Sequence, residues 1–117
     1  MRVIKGFGSA MNGIKFLFQL ERHAMVHLCI LLLVIASGTY FQLSRIERMF
    51  IVVSAGFVLC AEAINTATEH LMNLINQVQD ANAGIIKDIA VGPFLLSVVS
   101  ALIVGMIIFI PKVKVLL

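Results

Sequence analysis

Five residues in the middle of the chain, Glu62, Asn65, Thr66, Glu69 and Asn73, follow one another at steps of three, one, three and four. On a helix those steps place all five along one stripe, with the two carboxylates two turns apart, about 10 Å along the axis. The stripe interrupts an otherwise apolar segment that begins at Met49 and continues to Ile75. An ionised group at membrane depth costs on the order of 3 kcal/mol, so it normally faces a partner, a bound cation or a water-filled site. Glu62 and Glu69 are therefore read as functional. The plainer alternative is that Glu69 and Asn73 lie in the interface near the end of the span, while Asn65 and Thr66 hold helices together.

Three more charged residues belong to the same inventory. Glu21 stands where an N-terminal amphipathic stretch gives way to an apolar run, at the depth where Glu69 emerges if the two ends share a membrane side. It could complete a carboxylate cluster, or pair with Arg22 as an interfacial charge. Lys87-Asp88 opens the last apolar run on that side. There the Asp suits a helix N-terminus electrostatically and the Lys could meet an anion.

Three carboxylates, a Lys and interfacial basic groups at one membrane face suit a divalent cation bound to a polyphosphate. Mg²⁺ takes a few carboxylate oxygens and completes its shell with phosphate oxygens. Phosphoryl transfer fits, because it needs neutralised charge, in-line positioning and a base for the acceptor hydroxyl. A Walker-type loop is not the means. Gly8-Ser-Ala-Met-Asn-Gly13-Ile14-Lys15 imitates its first glycines, but Ile14 stands where the Lys belongs and no Ser or Thr follows. Gly-rich kinase loops and HRD or DFG patterns do not occur either.

The elements that position these groups follow from the apolar pattern. The longest charge-free intervals, His23 to Ser44 and Ile89 to Pro111, can each span about 30 Å of hydrocarbon as a helix. With the segment carrying the stripe, they predict three spans at about 23–44, 49–75 and 88–111, joined through Ser44–Arg48 and Asn76–Gly84. Ahead of them, Val3, Phe7, Met11, Ile14 and Phe18 recur at three- and four-residue steps, opposite Arg2, Lys5, Asn12, Lys15 and Gln19 for the most part. That pattern predicts an amphipathic helix over about 2–20 lying on the membrane surface. The fold class is thus all-α integral membrane, in one domain covering 1–117.

Composition agrees with this class. Of 117 residues 61% are apolar and 13% charged, and the mean hydropathy is +1.06. A chain this small cannot cover so much apolar surface by itself, which excludes a water-soluble globule. The net charge of +3 speaks to topology and is too small to suggest nucleic-acid binding. Lys and Arg divide five to four between the two sides, favouring a cytoplasmic N-terminus only slightly. Cys29 and Cys60 sit in apolar runs without metal-ligand spacing and are expected as small buried hydrophobes. His70 is expected at the interface. No segment has the pattern of a cleavable signal peptide.

The run Glu62-Ala-Ile-Asn65-Thr66-Ala67-Thr68-Glu69 resembles the E-x-x-N-[ST]-A-x-E signature of the prokaryotic diacylglycerol kinase family, which includes undecaprenol kinases. The resemblance extends over nearly the whole chain. It takes in Arg2-Val-Ile-Lys5, Asn12-Gly13-Ile-Lys15, Glu21, His27, Lys87-Asp88 and the ending Ile-Ile-Phe-Ile-Pro111-Lys112. It implies a homotrimeric bundle in the bacterial inner (cytoplasmic) membrane, with active sites shared between subunits. It further implies an enzyme that moves the γ-phosphoryl group of ATP to a lipid hydroxyl at the cytoplasmic face. Carried over residue by residue, Glu62 is the base toward the lipid hydroxyl and Asn65 supports the catalytic geometry. Glu21 and Glu69 hold Mg²⁺ on ATP, and Arg2, Lys87 and Asp88 contact the nucleotide. One departure is Asn73, where the family usually carries Asp. Others are His23 in place of Asn and Met11-Asn12 ahead of Gly13, which bear on lipid or nucleotide contacts more than on the chemistry.

The expected partners are ATP, a membrane lipid alcohol and further copies of the chain. The acceptor is undecaprenol or diacylglycerol, with a lean to the polyprenol because Asn-Thr-Ala and the Pro-Lys ending are usual in that branch. A competing reading is a proton- or cation-conducting membrane oligomer using Glu62, which leaves Glu21, Asn65, Glu69 and Lys87-Asp88 without a shared task. A purely structural membrane protein is the third.

Overall fold

The computed structural model describes residues 2–75 and 81–117, and among these all the regular secondary structure is α-helix. The elements are α1 (Arg2–Leu20), α2 (Arg22–Tyr40), α3 (Arg45–Ile75) and α4 (Ala81–Leu116). The last three are long and apolar enough to cross a membrane. The protein is an all-α membrane protein with an amphipathic N-terminal helix.

No residue of α1 is buried, and Val3, Phe7, Met11 and Ile14 are exposed along it. An apolar stripe left open in this way needs an apolar medium, which a bilayer surface provides. The chain leaves α1 at Glu21, whose backbone is extended (φ −120°, ψ 107°) and whose side chain accepts from the backbone N–H of His23 at 3.4 Å. Glu21 therefore ends one helix and caps the next.

α2 ends earlier than the apolar run suggests. At Tyr40 it gives way to a turn in which Gln42 adopts φ 54°. There Gln42 N–H donates to Thr39 O and Leu43 N–H donates to Gly38 O at 3.1 Å, the two bonds of a Schellman motif. Leu43 folds back over Gly38, so that a Cβ on Gly38 would stand 3.0 Å from Leu43 Cδ1. Apolarity alone predicts a span to Ser44, because it cannot report a left-handed residue.

Ser44 instead opens α3. Its backbone N–H donates to Glu47 Oε1 at 2.9 Å, while Glu47 N–H donates to Ser44 Oγ at 3.2 Å, a reciprocal capping box. Lys112 Nζ meets the same Glu47 oxygen at 3.3 Å and ties the end of α4 to the start of α3. α3 then runs unbroken through the polar stripe to Ile75. Three hydroxyls inside the helices are satisfied by the backbone of their own helix, as suits a medium without water: Ser37 Oγ donates to Leu33 O, Thr68 Oγ1 to Ile64 O, and Ser97 Oγ to Phe94 O.

α3 and α4 form the main packing pair, and α2 leans on α3 over a shorter stretch. α3 buries Ile51, Ala55, Val58, Glu62 and Thr66, one face at steps of four, three, four and four. Leu43, Ile51 and Ile108 form the apolar core at the end remote from Glu62, with Phe41, Val34, Val104 and Phe109 packed against them. α4 begins before Lys87 and continues through Pro93 and Pro111 to Leu116, longer than its charge-free interval. The expected connection Asn76–Gly84 lies partly outside the described residues. Cys29 and Cys60 are exposed on the helix surfaces, not buried. In a bilayer the lipid itself solvates an apolar thiol, so burial within the protein is not required.

Candidate active site

The stripe on α3 separates by depth. Glu62 is 2% exposed and Thr66 5%, while Asn65 is half-buried. Glu69, His70 and Asn73 are exposed. The stripe thus runs from the helix packing toward open surface.

The buried carboxylate has a partner on another helix. Nδ1 of His27 lies 2.9 Å from Oε2 of Glu62, with the imidazole half-exposed on α2. The His27 ring also stands 5.6 Å from the ring of Phe94, tilted by 54°. α2, α3 and α4 therefore meet at this one imidazole. Below it, a cavity of about 480 Å³ extends between the three helices, with Val34, Ile51, Val58, Val104 and Phe109 among its walls. His27 and Ser54 are the polar side chains that line it.

At the open end of the stripe, Lys87 Nζ donates to Asn73 Oδ1 at 2.7 Å, joining the start of α4 to the end of α3. Asp88 is exposed beside it, and Arg2 is exposed at the first turn of α1. Glu21 is half-buried in its capping position. Among the described residues, no group of three or more His, Cys, Asp and Glu side chains gathers to cage a metal. Two carboxylates, Glu21 and Glu69, suit Mg²⁺ all the same. This ion is usually held by one or two carboxylates and takes its remaining ligands from water and substrate phosphates.

The structure thus brings together two pairs, Glu62 with His27 and Asn73 with Lys87. Spacing did not point to His27 as the partner of Glu62. The resemblance takes in His27 as a position inside the first apolar run, but nothing local says which helix it faces.

Fold and site together define a small helical membrane protein, with a buried carboxylate and an exposed charged end on the same helix. The sequence profile of the prokaryotic diacylglycerol kinase family matches residues 8–109. Over 111 residues the chain is 34% identical to an undecaprenol kinase of Bacillus subtilis (strain 168), covering 95% of this chain and 90% of that one. Over 110 residues it is 28% identical to a diacylglycerol kinase of Synechocystis sp., covering 93% of this chain and 63% of the relative. The chain belongs to the prokaryotic diacylglycerol kinase family and is a lipid kinase.

Proposed function

We propose that this kinase transfers the γ-phosphoryl group of Mg·ATP to the hydroxyl of undecaprenol, with diacylglycerol as the alternative acceptor. The single observation behind this reading is Glu62. It is a carboxylate 2% exposed, met at one oxygen by His27, and His27 in turn lines an apolar cavity between three membrane helices. A base so placed suits a hydroxyl carried on a hydrocarbon chain and not one dissolved in water. The lean to a polyprenol is supported by the greater similarity to the relative named undecaprenol kinase.

Within this reading Glu62 accepts the proton of the lipid hydroxyl as its oxygen attacks the γ-phosphorus, and Asn65, one turn along the stripe, supports that geometry. Glu21 and Glu69 hold Mg²⁺, which supplies charge neutralisation to the phosphate oxygens. Arg2, Lys87 and Asp88 contact the nucleotide. The chain, 1–117, works as one domain in a homotrimer of the bacterial cytoplasmic membrane, with the charged end of the stripe at the cytoplasmic face.

The test is transfer of labelled γ-phosphate from Mg·ATP by the purified protein in lipid-containing detergent. Undecaprenol and diacylglycerol are offered separately, with Glu62→Gln run beside the wild type. Labelling of undecaprenol that disappears in the variant is the expected result. Labelling of diacylglycerol alone moves the acceptor, and well-folded protein that labels neither lipid overturns the proposal.

A further inference from the structure

We infer that His27 is a positioning residue for Glu62: its Nδ1–H holds Oε2 of the carboxylate so that Oε1 is presented to the acceptor hydroxyl. This rests on the reading of Glu62 as the base. The geometry behind it is the 2.9 Å approach of Nδ1 to Oε2, made across two helices to a carboxylate that is 2% exposed.

A glutamate side chain has three rotatable bonds, and a base is useful only in the rotamer that reaches its proton. On α3 the neighbours of Glu62 along the buried face are Val58, which has no side-chain donor, and Thr66, whose hydroxyl makes no hydrogen bond to the carboxylate. His27 provides one from α2. The imidazole is itself held, because Phe94 of α4 stands against its ring at 5.6 Å. A planar ring with one partner at its edge and another beside it keeps a defined orientation, and it passes that order to the carboxylate. His27 also lines the apolar cavity, so the pair it forms with Glu62 stands beside the space assigned to the acceptor.

The proton balance leaves His27 unchanged. The acceptor oxygen forms its bond to the γ-phosphorus while its O–H bond breaks and the proton passes to Oε1 of Glu62. The bond from the γ-phosphorus to the bridging oxygen breaks, and ADP leaves with those electrons. Throughout, Nδ1 keeps its proton and its hydrogen bond to Oε2. His27 touches no reacting atom in this scheme.

The experiment uses the full chain in detergent with Mg·ATP and, separately, undecaprenol and diacylglycerol. The variants are His27→Leu, His27→Asn and the double variant His27→Leu with Glu62→Gln. Leu removes the donor and keeps an apolar side chain of suitable size, whereas the amide N–H of Asn can stand in for Nδ1–H. His27→Leu is expected to lower kcat about tenfold or more while KM for lipid and for ATP changes less than about threefold. His27→Asn is expected to recover most of that loss, and the double variant to be no slower than Glu62→Gln alone. In parallel, ¹⁵N spectra of histidine-labelled protein should show Nδ1 of His27 protonated, with a signal that moves in Glu62→Ala.

A kcat for His27→Leu within twofold of wild type overturns the inference. So does a loss confined to KM for the lipid, which would make His27 a wall of the acceptor cavity and nothing more. Failure of His27→Asn to recover activity in folded protein does the same. Wild-type protein that labels neither lipid removes the reading of function and the positioning role with it. In that case the Nδ1 signal still separates a true His27–Glu62 hydrogen bond from a mere approach.

Discussion

Lys87 of α4 donates to Asn73 of α3 at 2.7 Å, so the ammonium that opens the last span is held by a neutral acceptor. At this position the family usually carries Asp. An amide takes the hydrogen bond without cancelling the positive charge, which leaves Lys87 its full charge toward a phosphate. An aspartate here would form an ion pair with Lys87 and compete with the nucleotide for it. Asn73→Asp is therefore expected to raise KM for ATP by about two- to fivefold, the range of an exposed pair, with kcat little changed. Initial rates against ATP at saturating Mg²⁺ check this.

Glu62→Gln tests the base directly. The amide oxygen of Gln can still accept from His27, so the three-helix junction should persist while the proton acceptor is lost. Phosphoryl transfer should fall by about 10²- to 10⁴-fold, the usual contribution of a general base. The helical circular-dichroism spectrum and the elution volume should match the wild type.

Glu69→Gln and Glu21→Gln should separate metal binding from base chemistry. Each removes one negative charge and a ligand oxygen from the site proposed for Mg²⁺. Rates against Mg²⁺ concentration should shift to higher half-saturation, by about tenfold or more if the metal is held by these two side chains. In Glu62→Gln the half-saturating Mg²⁺ concentration should stay where it is.

The turn after α2 predicts two opposite effects on stability. Gln42 sits at φ 54°, a conformation that costs an L-residue about 1 kcal/mol and glycine almost nothing. Gln42→Gly should stabilise the folded protein by about that amount. Gly38 lies under Leu43, which is buried, so Gly38→Val should destabilise by about 1–3 kcal/mol through overpacking. Unfolding by titration with dodecyl sulfate, followed by circular dichroism, measures both.

The membrane class, the amphipathic first helix and the alignment of Glu62, Asn65, Thr66, Glu69 and Asn73 were legible in the chain itself. They depend on local periodicity: apolar runs long enough to cross a bilayer, and steps of three and four that one helix converts into one face. The capping box at Ser44 and Glu47 is also local, but the apolar pattern makes Ser44–Arg48 a connection and so starts this helix too late. Tertiary structure decided the rest. Which part of the stripe is buried, which residue of α2 meets Glu62, and that Lys87 reaches Asn73 all depend on how α2 and α4 are rotated and offset against α3. Those quantities are set by packing between residues far apart in sequence, 35 positions in the case of His27 and Glu62. A periodic pattern fixes the face of one helix but not the residue on the next helix that it will touch.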